Sequence, residues 1–239
     1  MSKKFKNKTC VYCTENLSIT GDHLFAREFF LKNQRSNLPK VPSCEKCNNG
    51  KSKLEHYLTA ILPFGGRHDE AEKNLKKMVP KRLDKNVKLH KNLSAKMNRF
   101  WVQQDSGIYA KQTGFKIEKT AITELFEYIV RGLYWLHCNV ILEKDAYIKV
   151  LALSRYGEEY FYTNFISIKE FDYFSESYGS GTISYEGVKD HNNSMLSWWL
   201  FSIYGGLQLI DSSKTQSDIS EKIGVFTVPE KMASEMMSD

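Results

Sequence analysis

The sequence predicts a mixed α+β protein, with a small zinc-stabilised module at the N-terminus and a second α+β domain at the C-terminus. Three observations carry this prediction: two C-x-x-C pairs within residues 10–47, a long amphipathic pattern at about 120–138, and short segments rich in aromatic and β-branched residues after it. The composition is 41% hydrophobic and 26% charged. These values are typical of globular proteins and exclude a disordered, collagen-like or coiled-coil chain.

The paired cysteines, Cys10, Cys13, Cys44 and Cys47, supply enough thiolates to close one tetrahedral zinc site. Thirty residues separate the two pairs. A simple zinc ribbon has about 15 to 20 there, so a further element is inserted. No apolar signal region follows the basic N-terminus, which favours a cytoplasmic protein with reduced cysteines. The fifth cysteine, Cys138, lies in an apolar helical pattern, where a buried and inert thiol is expected.

Residues 1–66 are predicted to form the N-terminal module, with a helix over residues 44–62. Apolar residues recur there at three- and four-residue steps and make one apolar face. Pro63 and the glycine pair that follows it end the helix. Residues 67–100 are basic and helix-prone, and we interpret them as a helical linker or as an extension of a basic face.

Residues 101–239 are predicted to form a C-terminal α+β domain for targeting or partner docking. A hairpin is expected over 101–117, because a turn-forming Asp-Ser-Gly separates two strand-like runs. One long helix over about 120–138 follows from an apolar stripe at helical spacing. After it, aromatic and β-branched residues favour a mainly antiparallel sheet. Its predicted strands are 147–153, 181–188, 198–204, 206–210 and 224–228.

Charge is distributed unevenly along the chain, although the net charge is only +6. Residues 1–100 hold 22 Lys and Arg against 9 Asp and Glu, a balance of +13, whereas residues 101–239 hold 12 against 19, a balance of −7. A basic segment suits a polyanionic partner such as DNA, because each neutralised phosphate releases condensed counterions. We therefore expect DNA to bind residues 1–100, including Lys76, Lys77 and Lys81. Charges or glycines interrupt the longest apolar stretches, so no membrane contact is expected.

A second motif lies between and after the cysteine pairs. The insert contains Gly21-Asp22-His23, and the second pair runs directly into Asn48-Asn49-Gly50-Lys51-Ser52. This combination of a cysteine-framed acid-histidine pair with C-x-x-C-N-x-x-K-S resembles the HNH nucleases. The resemblance covers about residues 8–64. It implies a β-hairpin followed by a helix, the ββα-metal fold, and the activity of a metal-dependent endonuclease that hydrolyses phosphodiester bonds in DNA.

The chemistry of phosphodiester hydrolysis explains why these residue types occur together. The reaction needs a deprotonated water and a group that takes up charge on the leaving oxygen. His23 suits the general base, while Asp22 and Asn48 offer oxygen ligands to Mg²⁺ or Mn²⁺. The resemblance implies the same three roles. Because neighbouring side chains on a strand point to opposite faces, Asp22 and His23 should meet at a strand end, a twist or a bulge, which Gly21 would permit.

Four other residues near the motif are candidates for supporting roles. The resemblance implies an Asn before the second cysteine pair that fixes the hairpin by backbone hydrogen bonds. Asn37 matches that catalytic-motif position best, and Asn33 is the alternative. Arg27 and Lys51 are candidates for phosphate contacts, and the alternative for both is a solvated surface position. His56 is expected to be structural or exposed.

Two further patterns have simpler interpretations. Asp190-His191 repeats the acid-histidine pair, but neither cysteines nor a basic helix follow it, so a turn is predicted. The aromatic residues of 171–178 lie in an acidic segment, which favours a place in the core or in a protein interface over base stacking.

Three functions fit these residues. The first is a metal-dependent HNH endonuclease with a structural zinc. The second is a zinc-stabilised nucleic-acid-binding protein without catalysis, against which the combination of Asp22, His23 and Asn48 argues. The third is the nuclease subunit of a larger complex, such as a bacterial anti-phage defence complex, in which the acidic C-terminal domain docks onto a protein partner. The first and third functions are compatible.

Overall fold

The protein is mixed α+β, which confirms the predicted fold class. The computed structural model describes residues 3–103, 106–115, 117–166, 168–207 and 219–230. Within these ranges the strands form two hairpins and one five-stranded sheet, all antiparallel. No helix in the described ranges is both long and apolar enough to span a bilayer.

The N-terminal part consists of a short hairpin followed by a helix. Strands β1 (Thr20–His23) and β2 (Lys40–Ser43) pair in a regular register from Thr20 opposite Ser43 to His23 opposite Lys40. Helix α1 (Glu45–Ile61) begins directly after β2 and confirms the helix predicted over 44–62. The order of strand, strand and helix is the one expected for this module.

Three short helices follow in the basic segment 67–100. They are α2 (Asp69–Lys77), α3 (Val79–Lys85) and α4 (Val87–Lys96). Arg82 ties this segment to the N-terminal part, because its guanidinium donates hydrogen bonds to the carbonyl oxygens of Thr59 and Glu28.

The chain then forms a projecting hairpin and the longest helix. Strands β3 (Met97–Gln103) and β4 (Tyr109–Phe115) pair with each other, and helix α5 (Lys119–Cys138) follows. The predicted hairpin and long helix are therefore confirmed. The hairpin begins four residues earlier than predicted, because pairing extends back to Met97 opposite Phe115.

The remaining elements are β5 (Tyr147–Ser154), α6 (Arg155–Asn164), β6 (Phe171–Tyr178), β7 (Ile183–Asp190), β8 (Ser197–Ile203) and β9 (Ile219–Val228). The strand order in the sheet is β5, β9, β8, β7, β6. The sequence did not predict α6 or β6. Of the predicted strand 206–210, residues 208–210 lie outside the described residues, and Leu207 forms only an isolated bridge with Gly66.

One hydrophobic core joins the two ends of the chain. The apolar stripe of α5 is buried against the five-stranded sheet, and the loop between β1 and β2 packs into the same cluster. Phe25 lies 6.0 Å from Tyr185 between ring centroids, and the Tyr204 hydroxyl donates a 2.8 Å hydrogen bond to the Phe29 carbonyl. The domain boundaries stay predictions, but the core crosses the boundary predicted at residue 66.

Candidate active site

The four paired cysteines lie together as one cluster. Their Sγ atoms all lie within 4.8 Å of one another, and Cys13 Sγ is 3.8 Å from Cys44 Sγ. Zinc bound tetrahedrally at about 2.3 Å from each sulfur gives S···S distances of about 3.8 Å. The cluster is thus positioned to bind a metal ion, and its donor set fits zinc.

The local fold builds this cluster from two turns. The first cysteine pair lies in a turn where the Thr14 amide donates a hydrogen bond to the Cys10 carbonyl, and Thr14 has a φ of +61°. In the second pair, Cys44 immediately precedes α1 and Cys47 lies in its first turn. A metal ion in this cluster would join the first turn to the start of α1.

The environment of the thiols differs within the cluster. Burial raises the pKa of Cys10 and Cys47 above the ordinary thiol value. Burial acts in the same direction on Cys13, but the backbone amides of Asn16 and Glu15 outweigh it and lower the pKa of Cys13 to about 6. Cys13 therefore provides a thiolate at neutral pH, whereas a bound cation would favour ionisation of the Cys10 and Cys47 thiols.

Tyr12 links the cysteine cluster to the candidate catalytic residues. It lies between Cys10 and Cys13 in the sequence, is buried, and packs edge-on against Tyr128 of α5 at 4.9 Å. Its hydroxyl donates a 2.9 Å hydrogen bond to Asp22 Oδ2. The turn that would hold the metal thus also orients the Asp22 carboxylate.

Lys51 forms the centre of a buried ionic network between β1 and α1. Its Nζ lies 3.1 Å from Asp22 Oδ2 and 2.5 Å from Glu55 Oε1, and it donates a 2.7 Å hydrogen bond to the His23 carbonyl. The Lys51 side chain is only 1% exposed. The prediction that Lys51 contacts phosphate is therefore wrong, because its ammonium group is enclosed by oxygens of the protein itself.

The ionic network has a net charge of −1 when Asp22, Lys51 and Glu55 are all ionised. Burial raises the pKa of Glu55 to about 7, against the lowering effect of the Lys51 ammonium. Both contacts of the Asp22 carboxylate with described residues are made by Oδ2. Its Oδ1 takes part in neither of these contacts.

His23 is the last residue of β1 and lies half-buried beside Asp22. Burial lowers the pKa of His23 to about 4, and the nearby charges of Lys40 and Arg27 act in the same direction. The imidazole is thus neutral at physiological pH and can accept a proton. The histidine is found at a strand end, which is one of the three predicted possibilities.

Gly21 has a different role from the predicted one. The pairing of β1 with β2 is regular, so no bulge or register shift occurs at Gly21. A Cβ atom at this position would lie 2.4 Å from Phe5 Cδ2. Glycine is required here because the Phe5 ring packs directly on the strand.

Asn48 lies in the first turn of α1 and is half-buried. It precedes Lys51 by three residues and Glu55 by seven, so the three side chains share one helix face. Lys51 shows that this face is turned towards β1, because it contacts both Asp22 and the His23 carbonyl. The fold therefore places β1, the strand that carries Asp22 and His23, against the helix face that carries Asn48.

The remaining predicted residues near the motif are exposed. Asn37 has a φ of +62° in the loop before β2, a backbone conformation that asparagine tolerates well, and its side chain makes no hydrogen bond with a described residue. Asn33 lies in a short 3-10 turn, Lys32–Gln34, and is also exposed. Arg27 is exposed near His23, where its guanidinium is accessible to a phosphate.

The predicted DNA-contacting lysines are exposed on two short helices. Lys76 and Lys77 belong to α2, and Lys81 belongs to α3. Lys76 forms an ion pair with Glu72 one turn earlier. His56 is exposed on α1, as expected.

The second acid-histidine pair forms the predicted turn. The Asp190 carboxylate accepts hydrogen bonds from the amides of Asn192 and Asn193, at 2.6 and 3.0 Å. His191 Nε2 lies 2.9 Å from Asp172 Oδ1, in an exposed position. This part of the chain has no cysteine cluster near it in the sequence.

Sequence reasoning missed two residues that contact the candidate site, Tyr12 and Glu55. Glu55 could have been found, because it lies four residues after Lys51 on a predicted helix, the spacing of an ion pair. Tyr12 could not, because its hydrogen bond to Asp22 depends on how the first cysteine turn folds onto β1.

Comparison with family models, curated proteins and solved structures adds no relative. No family model, no curated protein and no solved structure matches this chain. The resemblance to HNH nucleases therefore rests on the motif residues and on the geometry described above.

Proposed function

We propose that this protein is a metal-dependent endonuclease of the HNH type that hydrolyses phosphodiester bonds in DNA. One observation supports the proposal: Lys51 holds β1, which carries Asp22 and His23, against the face of α1 that carries Asn48, and a four-cysteine cluster lies at the start of that helix. A neutral histidine beside hard oxygen ligands is the donor set that hydrolysis of a phosphodiester requires.

His23 acts as the general base in this proposal. Its neutral imidazole takes a proton from the attacking water, the water oxygen bonds to phosphorus, and the bond from phosphorus to the leaving oxygen breaks. Asp22 and Asn48 would hold the Mg²⁺ or Mn²⁺ ion, which supplies positive charge to the leaving oxygen. Tyr12 and Lys51 fix the orientation of the Asp22 carboxylate through Oδ2.

Zinc has a structural role in the proposal. Cys10, Cys13, Cys44 and Cys47 would hold it and join the first cysteine turn to the start of α1. Since Tyr12 lies in that turn and binds Asp22, loss of zinc would also release the Asp22 carboxylate. The metal supports the active site through this hydrogen bond without contact with DNA.

The proposed setting is a cytoplasmic anti-phage defence complex in which this chain is the nuclease subunit. The charge balance supports it, because residues 101–239 carry −7 and offer DNA little attraction over most of their length. Such a surface fits a protein partner better than a polyanion.

One observation favours the alternative, a zinc-stabilised nucleic-acid-binding protein without catalysis. The Lys51 ammonium lies 3.1 Å from Asp22 Oδ2 and neutralises part of its charge. Asp22 then serves the packing of α1 on β1 and holds no catalytic metal.

Plasmid cleavage with Mg²⁺ or Mn²⁺ tests the proposal. His23→Ala should lose at least about 100-fold in cleavage rate, the usual contribution of a positioned general base, and should retain DNA affinity. His56→Ala is the matched control, because His56 is an exposed histidine of α1, and it should cleave at the wild-type rate. Unchanged cleavage by His23→Ala would place the active site elsewhere, and DNA binding without any cleavage by the wild type would support the alternative.

Metal rescue separates the roles of Asp22 and His23. Asp22→Asn removes a charge but keeps an oxygen, so raised Mn²⁺ should restore part of its activity. His23→Ala should stay inactive at every metal concentration, because no metal ion replaces the base. Equal rescue of both variants would contradict this division of roles.

A further inference from the structure

The β3–β4 hairpin has one face on which aromatic and basic side chains alternate. In its antiparallel register, Trp101 lies opposite Lys111, Gln103 opposite Tyr109 and Arg99 opposite Thr113. Residues directly opposite each other, and residues two apart on one strand, point to the same side of a sheet. Arg99, Trp101, Tyr109 and Lys111 therefore share one face, which we call the ribbon face.

The aromatic side chains of the ribbon face are largely exposed to solvent. Trp101 is 65% exposed and Tyr109 is 60% exposed. Lys111 Nζ lies 5.9 Å from the centroid of the Trp101 ring, and Arg99 is exposed. Large aromatic rings that are left this accessible on a narrow hairpin indicate a binding surface more than a folding role.

Charge selects the kind of partner. Over residues 97–115 the hairpin sequence carries Arg99 and Lys111 against one acidic residue, Asp105. The hairpin also follows α4 directly, where Lys88 and Lys91 are exposed. By contrast Tyr156, which is 74% exposed on α6, has one basic neighbour, Arg155, against the acidic pair Glu158 and Glu159 in the sequence. Exposed aromatics thus occur in both places, and of the two the ribbon face has the positive charge balance that favours a polyanion.

We propose that the ribbon face binds single-stranded DNA. Unpaired bases stack on Trp101 and Tyr109, while Arg99 and Lys111 contact the phosphates. A duplex covers the faces of its bases within its own stack, so exposed rings favour unpaired nucleotides. The inference rests on the proposed function for the choice of DNA. It assigns DNA binding to a hairpin, residues 97–115, that extends into the segment 101–239, where the charge balance alone predicts little.

Fluorescence anisotropy of the full chain without Mg²⁺ or Mn²⁺ tests the inference. The probes are a labelled single-stranded DNA of 20 nucleotides, the duplex of the same sequence and the corresponding RNA strand. Trp101→Ala and Tyr109→Ala should each weaken single-strand binding about 5- to 150-fold, the usual effect of removing one stacking ring. Trp101→Phe should retain most of the affinity, and Tyr156→Ala, which removes an equally exposed ring, should retain all of it.

Duplex binding by the Trp101 and Tyr109 variants should change less than about threefold, because phosphate contacts dominate there. Equal losses for the single strand and the duplex, wild-type affinity in Trp101→Ala and Tyr109→Ala, or a strong preference of the wild type for RNA would each overturn the inference. Circular dichroism of each variant shows whether it is folded. The binding measurement does not depend on nuclease activity, because no cleavage is measured. If the protein shows these binding differences but does not cleave plasmid DNA, the proposed function is refuted and the inference stands.

Discussion

Lys51 is the residue on which the geometry of the site depends most directly. Burying an ammonium group costs several kcal/mol unless close partners replace its hydration. Here two carboxylates and one carbonyl do so, and they come from β1 and from the next turn of α1. The lysine thereby fixes the strand that carries Asp22 and His23 against the helix that carries Asn48.

The titration of Glu55 gives a prediction at the same scale. Its pKa is raised from 4.5 to about 7 by burial, so the folded state binds this proton more tightly than the unfolded state does. The free energy of unfolding should therefore contain a term that falls as pH rises from about 4.5 to about 7. Glu55→Gln should remove that decline, measured by urea unfolding across this pH range.

The exposed pair Glu72–Lys76 provides the control, because it has the same four-residue spacing without the burial. Glu72→Gln should not remove the decline. His23 changes the free energy of unfolding in the opposite direction. Its pKa is lowered from 6.5 to about 4, so its contribution to that free energy rises with pH between these values. The pH dependence of each variant is therefore compared with that of the wild type. Equal slopes of the free energy of unfolding against pH for the wild type and Glu55→Gln would contradict the prediction.

The sequence predicted the residues whose chemistry is independent of their surroundings. Four cysteines in two pairs indicate a metal cluster, and the described thiols do lie together. The sequence assigned Lys51 to phosphate binding, because lysines near the start of a helix are usually exposed. In the structure Asp22 and Glu55 enclose its ammonium group. Burial of a charged group depends on tertiary contacts, which spacing within one segment does not show.

At the scale of elements, the hairpin and α1 are too small to form an independent core. Strands β1 and β2 have four residues each, and the first cysteine turn has no regular structure. Small units of this kind need a metal or a larger neighbour for stability. This protein has both, because the cysteine cluster packs against Tyr128 and Trp135 of α5.

Elemental analysis of protein purified without added metal should give one zinc per chain. Cys44→Ala should lose the zinc and lower the melting temperature, since three thiolates bind it less tightly and the remaining buried thiols gain no counter-charge. Cys138→Ala is the control, because Cys138 lies in α5 outside the cluster and should keep the full zinc content. A folded, zinc-free wild type with disulfide bonds would contradict the assignment.

The elements that the sequence predicted best are those with a clear period. Helix α5 and helix α1 have apolar stripes at helical spacing, and both were found within one or two residues. Helix α6 was missed because four of its ten residues are aromatic, a composition that favours a strand. Its start is set by a cap, since Ser154 Oγ accepts a hydrogen bond from the Gly157 amide, and its buried Phe161 needs the neighbouring sheet.

At the scale of the whole molecule, the charge distribution separates the chain into two parts, whereas the hydrophobic core joins them. The charge changes sign near residue 100, whereas the core continues from the loop after β1 into β7, β8 and β9. The sequence could show the first division, because charges are read directly. It could not show the second, because the partners of Phe25 and Phe29 lie more than 150 residues away.

The salt dependence of DNA binding should follow the charge division. The log-log slope of duplex affinity against salt should become shallower by about 0.9 for each phosphate contact removed. Lys77→Ala and Lys81→Ala should each show this change, measured by anisotropy between 50 and 200 mM salt, a range over which such contacts respond strongly. Lys149→Ala, an exposed lysine of β5, is the control and should leave the slope unchanged. A larger effect of Lys149→Ala would refute the assignment of duplex binding to residues 1–100.

The hydrogen bond from Tyr204 to the Phe29 carbonyl has a consequence for protein synthesis. The Tyr204 carbonyl also accepts hydrogen bonds from the amides of Arg67 and His68, so β8 supports the loop after the candidate catalytic strand and the start of α2. Ribosomes add about 5 to 20 residues per second, so the chain grows for about 7 to 28 s between residue 66 and residue 204. During this interval the loop lacks its support, and we expect a chain that ends before β8 to hold the candidate site in an incomplete form. Assembly of the candidate site would then follow the synthesis of β8.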